Sequence, residues 1–357
     1  MQNKLLRTRL LWILRVLIFC ATVLFLVRYI DFRLVLNAIR RIPAWILLII
    51  IPISLLRIWL NGIRWKICNT DSLQQLSDWD YFRYMMISTT FNQVMPGVLG
   101  GDFVKAVYIG SDVQTNKVRN VLSVLFDRIV GFISIVLLGL LAVGFSPLID
   151  SRIKHKVFMF AFVGLLLFLL LVRLLRRVDV AASRPLKGRA ESKLGRMIRQ
   201  GWVLTMDILG YFLARPLIFV KALLLSFIIH ISWFFINYYL ALHLKINVTF
   251  FDISMISCLV WMITIIPLSI GGMGVRELSY IGLLSGYGVS AEQATALSVT
   301  VFSTMVIVAI LGIPFIFTQR RKSKVASRKD EEKNNASYMT LFHHEAHEAH
   351  EGKSLRQ

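Results

Sequence analysis

The chain has 357 residues and a formal net charge of +21, from 41 Lys and Arg against 20 Asp and Glu. Because 56% of its residues are hydrophobic and only 17% are charged, this charge does not indicate a soluble nucleic-acid-binding domain. Its apolar stretches approach 20 residues, enough to cross about 30 Å of hydrocarbon. The three scattered cysteines, Cys20, Cys68 and Cys258, exclude a disulfide scaffold and match no zinc-ligand spacing.

Six apolar runs are predicted to cross the membrane, and two further stretches are interrupted by proline and glycine. The predicted spans cover residues 10–27, 42–60, 121–145, 157–172, 216–242 and 297–317. The interrupted stretches cover residues 84–99 and 253–270, and a short apolar piece at 278–284 follows the second. Unpaired backbone groups cannot face lipid, so we expect two re-entrant broken hairpins that face protein or a water-filled cavity. The expected fold is therefore an all-α polytopic membrane protein with about six full transmembrane helices.

The distribution of lysine and arginine predicts that both termini are cytoplasmic. With six crossings, 28 of the 41 basic residues fall on one side and eight on the other. The first run follows basic residues like a signal peptide, but it is too long and lacks a cleavage site, so we expect an uncleaved span. We expect residues 1–318 to form one integral membrane domain and the basic, His-rich residues 319–357 to form a disordered cytoplasmic tail. Eight complete crossings, with both broken stretches spanning, are the alternative.

An internal repeat is predicted from a constant offset of 171 residues. At this offset Pro96, Gly100, Gly101 and Lys105 align with Pro267, Gly271, Gly272 and Arg276. The offset also relates residues 42–145 to residues 216–317, and one extra span between these halves would invert the second. Two residues break the pattern, since Asp127 and Arg128 align with Ser298 and Val299. Chance matching is the alternative, because proline and glycine recur in membrane spans.

Broken helices in an inverted repeat are typical of a transporter whose site lies near the membrane midplane. Glycine lets backbone N–H groups approach a ligand closely, and the N-termini of half-helices attract anions. Lys105 and Arg276 would add positive charge four residues after each Gly-Gly pair. We therefore expect a headgroup phosphate to bind there, with Asp102 and Glu277 positioning the cations, coupling to protons or capping the turns.

Ionisable side chains inside predicted spans are costly, about 2.5–3.5 kcal/mol each on insertion scales, so each needs an interpretation. Asp127 and Arg128 are expected either to form an ion pair, mutual or between helices, or to belong to the transport site. Arg57 lies near the predicted inner end of its span and is expected to snorkel to the interface. His230 is expected to be hydrogen-bonded in the span interior, with a proton relay as the alternative.

Three motifs resemble those of a known family. The segments FNQVMPGVLGGDFVKA, VLFDRIVGF and IIPLSIGGMGVRELSYIGLL are similar to signatures of the lysylphosphatidylglycerol synthase transmembrane-region family, also called the flippase-like domain family. The resemblance covers about residues 10–318. It implies a lipid-flipping membrane domain and a prokaryotic inner membrane. It also implies that the site includes Asn92, Pro96, Gly97, Gly100, Asp127, Arg128, Gly271, Gly272, Gly274, Arg276 and Glu277.

The chain departs from that family in two respects. Gly101-Asp102 stands where the first motif usually carries Gly-Glu. The shorter Asp102 side chain is either equivalent to the glutamate or reaches less far. The synthase members also carry a soluble aminoacyl-transferase domain. Because this chain ends about 40 residues after its last predicted span, we expect that it does not charge lipids with lysine.

Two classes of function remain as hypotheses. The first is a transporter that moves an anionic phospholipid or a polyprenyl-linked lipid by alternating access, without a cofactor, a metal or a nucleic-acid partner. The second is a membrane-embedded transferase acting on lipid-linked substrates, although the chain has neither a DxD metal motif nor a phosphate-binding P-loop. An accessory role beside a separate lipid or glycan synthase, and assembly as a homodimer, are further alternatives. The tail also carries three spaced histidines, His343, His347 and His350. They do not form the HExxH motif of zinc peptidases, so no such enzyme is expected.

Overall fold

The computed structural model describes residues 28, 30–69, 76–95, 101–102, 104–106, 117–182, 210, 215–266 and 271–318. Within these ranges the secondary structure is helical, with turns and no β-strand. The predicted first span, residues 10–27, and the predicted tail, residues 319–357, lie outside the described residues.

Nine helices form the part of the chain that the structure describes. They are α1 (Phe32–Arg40), α2 (Ala44–Cys68), α3 (Asp78–Val94), α4 (Lys117–Phe145), α5 (Ser151–Ala182), α6 (Pro216–His243), α7 (Phe250–Ile265), α8 (Val275–Ser285) and α9 (Ala291–Thr318). The helices α2, α4, α6 and α9 are long and apolar enough to cross a membrane. These four helices confirm an all-α, multi-pass membrane protein, whereas the count of six crossings stays a prediction.

The helices α3 and α7 begin with the same capping box. Ser77 and Asp80 exchange side-chain-to-backbone hydrogen bonds at the start of α3, with Ser77 Oγ accepting from the Asp80 N–H at 3.2 Å. Thr249 and Asp252 do the same at the start of α7, also at 3.2 Å. Such caps contribute about 1 kcal/mol each to helix stability. The first cap explains why α3 begins at Asp78, six residues before the predicted apolar stretch.

The ends of the same two helices also correspond, because α3 ends at Val94 and α7 ends at Ile265, 171 residues later. Each is followed by a glycine-containing break and then by helical residues, at 101–102 and 104–106 after α3 and in α8 after α7. The order of span, capped short helix, break and span is thus the same in both halves.

Each capped helix packs against the last span of the other half. The α7 helix lies on α4, where a Cβ atom added to Gly139 would be 3.4 Å from the Cβ of Cys258. The α3 helix lies on α9, where a Cβ added to Gly312 would be 2.8 Å from the Met86 carbonyl oxygen. The crossed packing interlocks the two halves around the α2–α6 contact.

The largest buried apolar cluster lies where α1, α2, α6, α7, α8 and the start of α9 meet, and it includes the fully buried Ile46, Ile253 and Leu297. Large apolar side chains elsewhere point outward, such as Leu48 at 72% exposure and Leu217 at 74%. A bilayer would cover these outward faces, which are too extensive for a water-exposed monomer surface.

Candidate functional site

Five charged side chains form a network beside the first break, which we call the basic cluster: Arg64, Asp102, Lys105, Asp127 and Arg128. Arg64 Nε of α2 donates to Asp127 Oδ1 of α4 at 2.8 Å. Lys105 Nζ lies 3.5 Å from Asp102 Oδ1 and 3.6 Å from Asp127 Oδ2. Arg128 Nε donates to Asp102 Oδ2. The cluster therefore joins α2 and α4 to the residues that follow the break.

Asp127 and Arg128 do not pair with each other, although they are neighbours in sequence. Adjacent residues on a helix point about 100° apart, so their side chains reach different partners. Asp127 points inward and is 1% exposed, whereas the Arg128 side chain is 28% exposed. The expected inter-helix ion pairing is present, but it is divided between Arg64 and Asp102.

The basic cluster contains three cations and two carboxylates, which leaves one positive charge in excess among the described residues. Lys105 is enclosed, because its Nζ lies 4.4 Å from the centre of the Trp65 ring and 3.7 Å from Met85 Sδ. Arg64 is also buried and is held by Ser226 Oγ at 3.0 Å. Arg128 is therefore the most exposed cation of this cluster.

The first break is closed by a side chain from α3. Asn92 Oδ1 accepts a hydrogen bond from the Gly101 N–H at 2.8 Å, and this bond fixes the returning chain. A Cβ on Gly101 would lie 2.0 Å from the Ser88 carbonyl oxygen, so no larger residue fits without a shift of backbone. The predicted site residues Pro96, Gly97 and Gly100 lie outside the described residues.

The second break is built on glycines with left-handed backbone. Gly271, Gly272 and Gly274 have φ values of 59°, 74° and 84°, a region that L side chains rarely adopt. Gly274 is the N-cap residue of α8, and its N–H donates to the Glu277 carboxylate. Glu277 therefore has the capping role that was one of its expected functions. Pro267 lies outside the described residues.

Arg276 is neutralised within its own half of the chain. Its Nη2 lies 2.8 Å from Glu277 Oε1, and its Nε donates to Ser298 Oγ of α9 at 3.1 Å. Ser298 Oγ in turn donates to Glu277 Oε1 at 2.9 Å. The guanidinium carbon also lies 4.3 Å from the centre of the Phe302 ring. Arg276 and Glu277 are each 6% exposed, so this group forms a closed, buried unit.

The two cations at the breaks have equivalent partners. Lys105 and Arg276 are related by 171 residues, and so are Asp127 and Ser298. Lys105 Nζ lies 3.6 Å from Asp127 Oδ2, while Arg276 Nε lies 3.1 Å from Ser298 Oγ. Asp127 and Ser298 differ in residue type, but each supplies an oxygen to the cation of its own half. The second half takes its carboxylate from Glu277 instead.

The turn before α8 lies against the end of α3. A Cβ atom built on Gly271 would lie 3.0 Å from the carbonyl oxygen of Gln93, the penultimate residue of α3. This contact packs Gly271, which precedes α8, against the end of α3.

Sequence reasoning missed Arg64, Trp65 and Ser298. The predicted second span stopped at residue 60, so Arg64 and Trp65 were assigned to a cytoplasmic loop. Asn61-Gly62, a dipeptide that often marks a turn, follows Leu60, yet the helix continues through it to Cys68. The sequence therefore contains no clear signal that the helix extends this far.

An apolar cavity of about 970 Å³ lies between α4, α5 and α7. Its lining is mostly apolar and includes Val136, Gly139, Met255 and Leu259, whereas Asp150, Asn247 and Tyr287 provide polar groups.

The hydroxyl of Tyr287 lies beside a carboxylate, with Tyr287 Oη 3.4 Å from Asp252 Oδ1. Burial and the nearby Asp252 carboxylate raise the pKa of Tyr287, which lies outside the membrane-spanning helices, to about 12, so its hydroxyl stays protonated.

Comparison with protein families gives one result for this chain. The family model described as "Lysylphosphatidylglycerol synthase TM region" matches residues 12–312, a range that contains both breaks, the basic cluster and the Arg276–Glu277–Ser298 group. Comparisons with curated proteins and with solved structures gave no match.

Proposed function

The chain belongs to the lysylphosphatidylglycerol synthase TM-region family, and on that premise we propose that it translocates an anionic lipid or lipid-linked precursor across the cytoplasmic membrane. The family indicates a membrane protein of lipid metabolism or translocation. The observation that carries the finer proposal is the position of Arg128, the ligand-accessible member of a basic cluster beside a glycine break.

Arg128 is suited to bind the headgroup phosphate. A guanidinium can donate two parallel hydrogen bonds to a phosphate, and its contact with Asp102 uses Nε. Arg128 is also the more exposed cation, at 28% against 6% for Arg64 and 1% for Lys105, so it is the one that a phosphate can approach. The enclosed cations thus position the carboxylates, while Arg128 meets the ligand.

The apolar cavity between α4, α5 and α7 is suited to the acyl or prenyl part of the same ligand. Its volume of about 970 Å³ is at the upper end of the usual range for ligand sites, about 300–1,000 Å³. Its lining is dominated by apolar side chains, and hydrocarbon there would complete the packing of α4 against α5.

Alternating access follows from an inverted repeat, which the matching helix ends, the crossed packing and the Lys105–Asp127 and Arg276–Ser298 pairs support. In this proposal the contact between Gly271 and Gln93 closes the path on one side, and a rocking motion of the two halves opens it. Both termini are cytoplasmic, and the two re-entrant breaks enter from opposite faces.

Flipping of a fluorescent phosphatidylglycerol in proteoliposomes tests the function. Arg128→Gln should reduce the initial rate about 10-fold or more, since a hydrogen bond to a charged group contributes about 1.5–3 kcal/mol. Lys66→Gln is the matched control, because Lys66 is a half-exposed cation of the same helix as Arg64 and pairs with Asp78. Equal rates for wild type and Arg128→Gln would contradict the headgroup role of Arg128.

The same vesicles separate transport from the other candidate functions. Mass spectrometry of the lipids before and after incubation should show no covalent change, whereas any new lipid product would favour the transferase. Flipping by the purified chain alone would argue against a purely accessory role. A requirement for an added synthase would support that accessory role.

A further inference from the structure

Arg57 lies in the middle of a membrane-spanning helix rather than near its inner end. It is residue 14 of the 25 residues of α2, and its partner Ile229 is residue 14 of the 28 residues of α6. With a rise of about 1.5 Å per residue, the nearer end of α2 is about 17 Å away. The expected snorkelling of Arg57 to the interface is therefore wrong.

The guanidinium of Arg57 is held by backbone and by an aromatic ring. Its Nε donates to the Ile229 carbonyl oxygen at 3.1 Å, and its Cζ lies 4.5 Å from the centre of the Trp233 ring. No carboxylate in the described ranges forms an ion pair with Arg57, whereas Arg64, two turns further along α2, is neutralised by Asp127. The terminal nitrogens of Arg57 remain available to an anion.

His230 adds a polar group beside Arg57. Its side chain is 92% buried, and within the described part of the chain its Nε2 has no hydrogen-bond partner. The centre of the ring lies 6.2 Å from the centre of the Trp261 ring of α7. In one tautomer of a neutral imidazole, Nε2 carries the proton and can donate a hydrogen bond. The expected hydrogen bond of His230 is made with the backbone of Gly131, so Nε2 is the nitrogen that could meet a ligand.

A cation at the bilayer centre costs about 2.5–3.5 kcal/mol on insertion scales and marks a functional position. Water or an anionic ligand would offset that cost here. We propose that Arg57 and His230 form an anion-binding station at the membrane midplane, which receives the phosphate of the translocated headgroup after it leaves Arg128. This station rests on the proposed lipid transport, and it extends the path beyond the two glycine breaks.

Arg64 connects the two binding positions without binding the ligand itself. It contacts Asp127 in the basic cluster and Ser226 of α6, and a Cβ on Gly131 would be 3.2 Å from its Nη1. Ser226 lies one turn before Ile229 and His230 on the same helix. Arg64 therefore links the basic cluster to the part of α6 that carries Ile229 and His230.

Cysteine chemistry tests whether position 57 is reached by water and anions. In a background with Cys20, Cys68 and Cys258 replaced by alanine, Arg57→Cys is reconstituted in phosphatidylcholine vesicles and treated with an anionic methanethiosulfonate. We expect it to react at least 10-fold faster than Leu56→Cys, whose position is 56% exposed and apolar. Adding phosphatidylglycerol to the vesicles should slow the reaction of Arg57→Cys about three-fold or more.

Charge rescue separates a binding role from a structural one. A cationic aminoethyl adduct on Arg57→Cys should restore flipping of fluorescent phosphatidylglycerol, whereas a neutral methylthio adduct should not. Rescue by the neutral adduct, or no reaction of the cysteine with the anionic reagent, would overturn the station.

Should Arg57→Cys not fold, the conservative variants Arg57→Lys and His230→Gln supply the test. Arg57→Lys should keep most of the flipping and His230→Gln should retain some of it, and inactivity of Arg57→Lys in a folded protein would overturn the charge-based role.

Failure of the station and failure of lipid transport have different signatures. Protection of the Arg57→Cys thiol by phosphatidylglycerol in a chain that flips no lipid would support the anion site and reject transport. Flipping that depends on Arg128 but is unchanged in Arg57→Leu would support transport and reject the station.

Discussion

Arg64 and Asp127 form a buried ion pair that joins α2 to α4, with Arg64 Nε 2.8 Å from Asp127 Oδ1 and both side chains at most 6% exposed. Asp127 is shared with Lys105, so the pair also fixes the residues that follow the first break. Opposite charges in a low-dielectric interior stabilise each other only while both are present. The pair is therefore a structural support of the site.

Removing either member of this pair should destabilise the protein, and removing Asp127 should cost more. Asp127→Leu should lower the free energy of unfolding by about 3–5 kcal/mol, because it leaves the buried Arg64 without its carboxylate. Arg64→Leu should cost less, because Lys105 Nζ still lies 3.6 Å from Asp127 Oδ2. The double variant should lose less than the sum of the two, since neither charge remains alone. Unfolding titrations in mixed micelles measure all three values.

The exposed pair Lys66–Asp78 is the control for that prediction. Its side chains are 40% and 51% exposed, and Lys66→Leu should change the unfolding free energy by less than about 1 kcal/mol. Additive losses in the Arg64 and Asp127 double variant would contradict the direct pairing.

The first break should tolerate no side chain at Gly101. Gly101→Ala would place a Cβ 2.0 Å from the Ser88 carbonyl oxygen, so α3 or the returning chain must move. We expect lower thermal stability and at least a 10-fold slower flipping rate, because the Asn92 hydrogen bond to Gly101 would be displaced. Thermal unfolding and the vesicle assay measure the two effects.

Gly282→Ala is the matched control in α8. A Cβ there meets nothing within 4 Å, and alanine is favoured over glycine inside a helix by about 1 kcal/mol. This variant should therefore be as stable as wild type or more stable. A Gly101→Ala protein with unchanged stability and rate would show that the break adapts without cost.

Much of the fold could be predicted from the sequence, because hydrophobic length and proline–glycine breaks report local properties. The helix α9, the end of α3 before its break and the glycines at 271, 272 and 274 follow from such local signals. Helix ends were less accurate, since the Ser77 and Thr249 caps add polar residues to helices that hydropathy alone starts later.

The pairing of charges could not be predicted, because it depends on how helices rotate against each other. Asp127 and Arg128 are one residue apart, yet one points to α2 and the other to Asp102. The repeat placed Ser298 opposite Asp127 but did not show that the hydroxyl replaces part of the carboxylate's role. Arg57 was misplaced because the end of its helix was set eight residues too early.

The inverted repeat predicts that the starts of α3 and α7 lie on opposite sides of the membrane. Asp78 and Asn247 are exposed positions next to the two capping boxes. In a cysteine-free background, Asn247→Cys should react with an impermeant maleimide in intact cells, whereas Asp78→Cys should react only after permeabilisation. Labelling of both variants in intact cells would contradict the inversion.

The apolar cavity should be sensitive to added volume if it holds the hydrocarbon part of the ligand. Val136→Trp would fill space between α4 and α7 and should slow flipping of a long-chain phosphatidylglycerol. A short-chain analogue should be affected less, because a smaller hydrocarbon occupies less of the cavity. Leu137→Trp is the control, because Leu137 is 39% exposed and does not line the cavity. The flipping rate should depend on chain length only if the hydrocarbon occupies this cavity. Equal slowing for both chain lengths, or equal effects of the two tryptophans, would therefore place the hydrocarbon elsewhere.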